Sequence, residues 1–171
     1  MMAFSGISHA GFMLMTLLSL ETSAGTLLYY ATAYSLAGIA AFAVILYVCR
    51  HNENEDMVNF HVLGKTNPVL AAVLAGSLLS MGGIPIFSGF FGKLSLFSDT
   101  IESGYLFLVI IAVINSIISI GYYLKLILVM YGKEPNEERT GTPVLYYAVA
   151  VIAILLNIAI GFFPSLIMDL M

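Results

Sequence analysis

The stretch from Gly82 to Lys93 reads G-G-I-P-I-F-S-G-F-F-G-K and lies between two apolar segments. Glycine and proline interrupt helices, and the residues that do so here are Gly82, Gly83, Pro85, Gly89 and Gly92. The surrounding region 67–98 is too long for one straight membrane span and too short for two complete ones. The sequence therefore predicts a short discontinuous helix, with halves at 67–81 and 84–98.

The composition excludes a soluble enzyme and a disordered tail. Of the 171 residues, 60% are hydrophobic and 9% are charged, whereas soluble domains average about 45–50% apolar and about 25% charged residues. The net charge is −4 and there is no basic patch, which excludes a nucleic-acid binder. The single cysteine, Cys49, excludes a disulfide framework and a cysteine-only metal site. The chain is therefore predicted to be an integral membrane protein.

Uncharged windows mark the membrane segments, at 1–20, 22–49, 66–92, 103–124 and 140–168. A bilayer core of about 30 Å needs about 20 apolar helical residues, and backbone groups in hydrocarbon must be paired within helices. We expect a single all-α domain over 1–171, a polytopic transmembrane bundle with about six helical segments. They are predicted at 1–20, 25–49, 67–81, 84–98, 104–131 and 144–163. Because the first segment starts abruptly, we expect a fragment of a larger protein without its N-terminal helices.

Tyrosines lie near the ends of several predicted segments, as in an aromatic belt at the membrane interfaces. They are Tyr29, Tyr30, Tyr47, Tyr105, Tyr131, Tyr146 and Tyr147. The charged loops at 50–65 and 131–142 are expected on opposite sides of the membrane if the fourth segment crosses it, and Lys125 slightly favours a cytoplasmic second loop. The first loop contains His51, Glu53, Glu55, Asp56 and His61. Because none of these has a recognised metal-ligand spacing, we interpret this loop as solvated.

Lys93 is the main candidate for chemistry. It lies in an apolar run without a carboxylate, just after Gly89 and Gly92, and an ionisable side chain inside a membrane indicates function. Burial disfavours the charged form of an amine, so that a proton can leave and return near neutral pH. Ion-coupled transporters place their sites at broken helices of this kind. The alternative is that the Lys93 side chain snorkels toward the membrane interface near Asp99. Asp99 is six residues later, about 9 Å further along a helix.

Further polar residues are candidates for a proton path. Asn115, Ser119 and Tyr122 or Tyr123 share one face of the fifth segment at helical spacing, although ordinary hydrogen bonding between helices explains this face better than a proton path does. His9 can relay protons near neutral pH, or it can make a structural hydrogen bond. Lys125 is a candidate for the same path, with a snorkelling anchor as the alternative.

Three motifs resemble the antiporter-like membrane subunits of respiratory complex I. Residues 83–93, G-I-P-I-F-S-G-F-F-G-K, are similar to the family's G-I-P-P-x-x-G-F-x-G-K, with Ile86 in place of the second proline. Residues 5–11, S-G-I-S-H-A-G, are similar to S-S-I-S-H-x-G. Residues 115–119, N-S-I-I-S, and 122–125, Y-Y-L-K, resemble a stretch typical of the subunit N branch.

This resemblance implies a fold of about fourteen helices in two inverted repeats, of which this chain corresponds to about the last six. It implies that Lys93 carries protons in the second half-channel of a subunit of NADH–quinone oxidoreductase. The family's other key charged residues lie on earlier helices and are absent here. The second charged loop would be cytoplasmic. Alternatives are a subunit of a multisubunit sodium/proton antiporter and a non-catalytic membrane scaffold.

The chain has no glycine-rich phosphate loop, no G-x-S-x-G motif and no cysteine cluster. We therefore expect no cofactor in this chain, and the resemblance implies that FMN, iron–sulfur clusters and quinone are bound by partner subunits. The expected partners are neighbouring antiporter-like and small membrane subunits together with the lipid bilayer, and no nucleic acid. The expected location is the bacterial inner (plasma) membrane, or the mitochondrial inner membrane or thylakoid if the protein is organellar.

Overall fold

A computed structural model describes residues 1–18, 24–50, 56–61, 63–132 and 144–168. In these ranges all regular elements are helical, which confirms the predicted all-α class. The helices are α1 (Met2–Met15), α2 (Ala24–Cys49), α3 (Leu63–Thr66), α4 (Pro68–Gly82), α5 (Ser88–Glu102), α6 (Leu106–Met130), α7 (Val144–Phe162) and α8 (Ser165–Met168). Two 3₁₀ turns lie at Thr16–Leu18 and Met57–Phe60. Of the predicted charged loops at 50–65 and 131–142, residues 51–55, 62 and 133–142 lie outside the described residues, among them His51, Glu53 and Glu55 of the first loop.

The six predicted segments correspond to α1, α2, α4, α5, α6 and α7. By length and composition α2, α6 and α7 are able to cross a membrane, and Met2–Leu18 and Pro68–Gly82 form shorter apolar helices. The chain is thus a membrane protein with several apolar helices. Short α3, α8 and the 3₁₀ turns were not predicted, because one helical turn is too short to establish a periodic pattern.

Helix α5 begins at Ser88 rather than at the predicted residue 84. Gly83 ends α4 in the left-handed conformation, with a φ of 82°. The Gly83 amide donates to the Ser80 carbonyl and the Ile84 amide donates to the Leu79 carbonyl, which is the Schellman pattern of a helix end. Ile86 also has a positive φ, of 98°, so the chain cannot resume a helix before Phe87.

The two half-helices pack closely where the chain is interrupted. A Cβ atom added at Gly89 would lie 1.9 Å from the Ser80 carbonyl oxygen, and one added at Gly161 would lie 2.8 Å from the Ser88 amide nitrogen. The first turn of α5 is therefore wedged between the last turn of α4 and helix α7. This wedge directs the rest of α5 back along the end of α4, which sets the position of Lys93.

Helix α2 is the centre of the bundle and packs against α4, α5 and α7. Its contact surface includes Ala33, Ala37 and Ala41, spaced four residues apart and all buried. Small side chains let membrane helices approach closely, which matters because lipid gives no hydrophobic drive for helix association. In contrast, α6 exposes Phe107, Ile114, Ile117 and Leu128, as expected for a lipid-facing surface.

Three of the tyrosines expected in an aromatic belt are instead part of the core. Tyr29, Tyr30 and Tyr47 are buried, whereas Tyr105 and Tyr131 are about half exposed. A buried phenol needs a hydrogen-bond partner. Tyr29 donates to the Ile160 carbonyl, and Tyr47 accepts from Asn67. The belt prediction was wrong for these three, since position along a helix does not reveal which side faces lipid.

Candidate functional site

Lys93 is held inside the bundle and is only 5% exposed. Its Nζ donates to Ser116 Oγ on α6 at 2.7 Å and to the Gly82 carbonyl at 3.2 Å. The carbonyls in the last turn of a helix lack partners within that helix, so the interruption after Gly82 supplies an acceptor for the amine. Nζ also lies 5.2 Å from the centre of the Phe12 ring on α1. The amine therefore does not snorkel toward Asp99.

Within the described part of the chain, the partners of the Lys93 amine are two neutral oxygens and an aromatic face. None of them is a carboxylate. An ammonium group buried without a counter-ion loses much of its solvation energy. The environment therefore narrows the energy difference between the charged and the neutral amine, which allows a proton to be bound and released.

His9 lies on α1, and both of its ring nitrogens form hydrogen bonds. Its Nδ1 is hydrogen-bonded to the Tyr30 hydroxyl on α2 at 2.7 Å, and its Nε2 to the Tyr123 hydroxyl on α6 at 3.3 Å. The Tyr123 hydroxyl is also hydrogen-bonded to Ser5 Oγ. The Tyr34 ring stacks on the imidazole with 4.3 Å between ring centres. The plane and position of the imidazole are thus fixed by three helices.

His9 and Lys93 both line a small cavity of about 10 Å³. Polar groups of His9, Tyr30, Tyr34, Ser80 and Lys93 line it, and the remaining lining residues are Ala33, Ala37, Met81 and Gly89. This volume is at the lower limit of what one water molecule needs.

The residues on the predicted polar face of α6 do not all contact the same neighbours. Tyr122 donates to Ser119 Oγ at 3.0 Å, and Ser119 Oγ donates to the Asn115 carbonyl at 2.9 Å. Asn115 Oδ1 accepts a hydrogen bond from Ser8 at 3.4 Å. Tyr123, by contrast, contacts His9. Lys125 is exposed, so it lies away from the buried amine.

Sequence reasoning did not include Ser5, Tyr30, Ser116 or Asn157 among the candidate site residues; Tyr30 was assigned to the aromatic belt. Ser116 was detectable, because it lies seven residues before Tyr123 and therefore on the same helical face. Asn157 on α7 is completely buried. It accepts from Ser80 Oγ and donates to the Ala33 carbonyl, both at 2.9 Å. Nothing in the sequence reveals these contacts, because they join residues distant in the chain.

The described residues contain no group of three or more His, Cys, Asp or Glu that could hold a metal ion. The family model described as "NADH:quinone oxidoreductase/Mrp antiporter, TM" matches residues 1–119. The chain belongs to this transmembrane family. The matched part includes α1 through α5 and the part of α6 up to Ser119, and so it covers Lys93, His9 and Ser116 but not Tyr122 or Tyr123.

Relatives with the name NADH-quinone oxidoreductase subunit N are similar over the whole chain. The Flavobacterium johnsoniae protein is 72% identical over 100% of this chain and 37% of its own length. The Flavobacterium psychrophilum protein is 53% identical over 100% of this chain and 38% of its length. The chain thus spans little more than a third of these curated relatives. The predicted resemblance to subunit N is confirmed.

A solved structure shows the same fold. A chain of respiratory complex I from Thermus thermophilus, determined with bound aureothin, superposes with a TM-score of 0.87 at 28% sequence identity. The match covers 98% of this chain and 38% of that chain. The arrangement of α1 to α8 is therefore that of a complex I membrane chain over a limited part of its length.

Proposed function

We propose that this chain is part of the proton-translocating subunit N of an NADH–quinone oxidoreductase, with Lys93 as its proton carrier. The similarity to subunit N of Flavobacterium johnsoniae over 100% of the chain supports the assignment. Electrons pass from NADH to quinone in partner subunits, which bind FMN, the iron–sulfur clusters and quinone. The subunit lies in the bacterial plasma membrane beside other antiporter-like and small membrane subunits of the complex.

The observation that carries this proposal is the buried Lys93 amine with neutral partners on α4 and α6. A protonated amine has three N–H donors. Two of them are used by the Gly82 carbonyl and Ser116 Oγ, and the third is free to point into the cavity that Lys93 lines. The neutral amine keeps both donations and presents its lone pair to the cavity instead. The site therefore accommodates both protonation states without a change in its partners.

Proton translocation then requires that the affinity of Lys93 for a proton changes during turnover. A charge change in a neighbouring subunit has a large effect on an amine in a low-dielectric environment. Lys93 takes up a proton from the hydrophilic interior of the full-length subunit when that field favours the ammonium form. It releases the proton to the outer side when the field reverses.

The family description also includes Mrp antiporters, so a sodium/proton antiporter subunit is the nearest alternative. The subunit N relatives favour the oxidoreductase. Neighbouring genes for iron–sulfur and quinone-site subunits would support the oxidoreductase, whereas genes for small antiporter subunits would support the alternative. A non-catalytic scaffold predicts that a neutral side chain at position 93 is tolerated.

The test is Lys93→Met in the full-length subunit within the assembled complex. We expect a lower ratio of protons pumped to electrons transferred, with the amount of assembled complex preserved. Lys65→Met is the matched control, because Lys65 is an exposed lysine on short α3. The measurement compares proton release with NADH oxidation in sealed vesicles. An unchanged ratio in the Lys93→Met complex would falsify the assignment of Lys93.

A second variant covers the case in which Lys93→Met fails to assemble. Lys93→Arg keeps a positive charge and donor groups, but a guanidinium does not release its proton in proteins. The Lys93→Arg complex should assemble and should lose pumping. Normal pumping with arginine would contradict a carrier that must exchange a proton.

A further inference from the structure

We propose that an apolar plug separates Lys93 from the outer side of the membrane, and that Phe12 closes this plug over the amine. The apolar plug consists of Phe12, Met15, Leu96, Val109 and Ala112. This inference rests on the proposed function, because it states how a proton bound by Lys93 is kept from crossing to the outer side before its release. Opening of the plug is then the step that lets the proton leave.

The plug is a packed cluster that three helices build. It contains Phe12 and Met15 from α1, Leu96 from α5, and Val109 and Ala112 from α6, and Tyr30 from α2 completes the cluster. Every member is at most 5% exposed. Apart from the Tyr30 hydroxyl, which is bonded to His9, the cluster contains no side-chain nitrogen or oxygen. Apolar constrictions of this kind exclude water and thereby gate ion pathways in membrane proteins.

The order of residues along the helices puts the plug on one side of Lys93. Helices α5 and α6 are packed together and joined by the short connection 103–105. The plug members on α5 and α6 lie between this connection and Lys93 or Ser116, which accepts a hydrogen bond from the amine. Met15 is the last residue of α1, and the 3₁₀ turn after it also packs against α5. The plug thus lies toward the end of α6 that is opposite to Tyr131, the end predicted to be cytoplasmic.

Phe12 covers the amine from this side. Lys93 Nζ lies 5.2 Å from the centre of the Phe12 ring, within the range of a cation–π contact. The ring itself makes edge-to-face contacts with Phe97 and Tyr30, with 6.0 Å and 6.4 Å between ring centres. Water from the outer side therefore cannot reach the amine unless the Phe12 ring moves.

The two sides of Lys93 differ in polarity. On one side the amine borders the cavity of about 10 Å³, which Tyr34 and Ser80 also line. On the other side the first carboxylate along α5 is Asp99, six residues or about 9 Å further on, and its buried Oδ2 accepts no hydrogen bond from the described residues. The plug fills the interval. When it opens, the ammonium group gives one proton to entering water and becomes the neutral amine.

The matched pair for the test is Phe12→Ala and Phe4→Ala in the full-length subunit of the assembled complex. Both remove a phenyl ring from α1, but Phe4 is 73% exposed and lies outside the plug. Sealed vesicles build a proton gradient with NADH, and its decay is followed after the NADH is exhausted. We expect the gradient to decay several times faster with Phe12→Ala than with the unchanged complex, and at the normal rate with Phe4→Ala. Equal decay rates for the two variants would overturn the plug.

Val109→Thr is a second test that nearly keeps the size of the side chain, and it decides the matter if Phe12→Ala does not assemble. It places a hydroxyl in the plug, which should admit water and speed the decay. Val113→Thr is its control, because Val113 is one turn further along α6 and is 40% exposed. Phe12→Leu keeps an apolar side chain and should retain the gradient. A purely structural role predicts less assembled complex with a normal decay in all these variants.

Lys93→Met identifies the route of the leak. Combined with Phe12→Ala it should return the decay to the normal rate, because a proton that passes the opened plug must be carried by Lys93. A leak that persists in the double variant bypasses Lys93 and contradicts the proposal. Normal pumping by the Lys93→Met single variant rejects the proposed function, whereas normal decay with both Phe12→Ala and Val109→Thr rejects the plug alone.

Discussion

At the scale of single residues, the site depends on a glycine that no other residue replaces without cost. Gly83 has a φ of 82°, and a Cβ atom there would lie 3.0 Å from Lys93 Cδ. Gly104 also has a positive φ, of 88°, but has nothing within 4 Å of its Cβ position. The two glycines therefore share a backbone requirement and differ in whether they contact Lys93.

We predict that Gly83→Ala and Gly104→Ala each lower the stability of the complex by about 1–2 kcal/mol, because a side chain disfavours the left-handed conformation. Only Gly83→Ala should also lower pumping, since its methyl group displaces the Lys93 side chain. Thermal inactivation measures the first effect and the proton-to-electron ratio the second. Loss of pumping in both variants would mean that backbone strain, not contact with Lys93, affects the activity.

At the scale of helices, Asn157 holds the interrupted segment against the central helix. Its amide joins Ser80 in the last turn of α4 to the Ala33 carbonyl on α2. Ser80 also lines the cavity beside Lys93. Asn157 on α7 therefore acts on the site through α4, as a positioning residue without contact to the amine.

A double-mutant cycle on Asn157→Ala and Ser80→Ala should measure a coupling of about 0.6 kcal/mol and at most about 1.7 kcal/mol, the range for hydrogen bonds between membrane helices. The control cycle pairs Asn157→Ala with Ser77→Ala, because Ser77 Oγ donates to the Val73 carbonyl of its own helix. That cycle should be additive. Thermal stability of the purified complex is the measurement, and equal coupling in both cycles would exclude the direct contact.

At the scale of the whole molecule, α6 is long and apolar enough to cross the bilayer. Its 25 residues extend over about 37 Å, which exceeds a hydrocarbon core of about 30 Å. Tyr105 and Tyr131 flank its ends and are about half exposed. The two ends of this helix are therefore expected in different aqueous compartments.

We predict that Tyr105→Cys and Tyr131→Cys, each in a Cys49→Ser background, react with a membrane-impermeant thiol reagent from opposite sides. The charge of Lys125 and the resemblance to the complex I subunits predict that the Tyr131 end is cytoplasmic. Labelling of intact cells and of inverted vesicles distinguishes the sides. Reaction of both positions from the same side would show that α6 does not cross the membrane.

Much of the architecture was predictable because the positions of the helices follow from the composition of short stretches of sequence. Runs without charge and the glycine–proline interruption locate the six major helices, since hydrocarbon forces such segments to pair their backbone internally. The beginning of α5 was placed four residues too early, because the positive φ of Ile86 has no signal in an isoleucine. The importance of Lys93 was also predictable from local composition, because it is a single charged residue in an apolar run.

The sequence by itself determined a helical membrane protein with a broken helix and one intramembrane lysine, because each of these follows from hydropathy and backbone chemistry within a few neighbouring residues. Only the tertiary structure decided what surrounds His9. Tyr29 and Tyr30 are adjacent in an almost uniformly apolar helix, yet one bonds to Ile160 and the other to His9. Ser5 and Tyr123 meet although 118 positions separate them. Helix packing alone sets such contacts, because a helix that is apolar all round carries no pattern that says which side meets which neighbour.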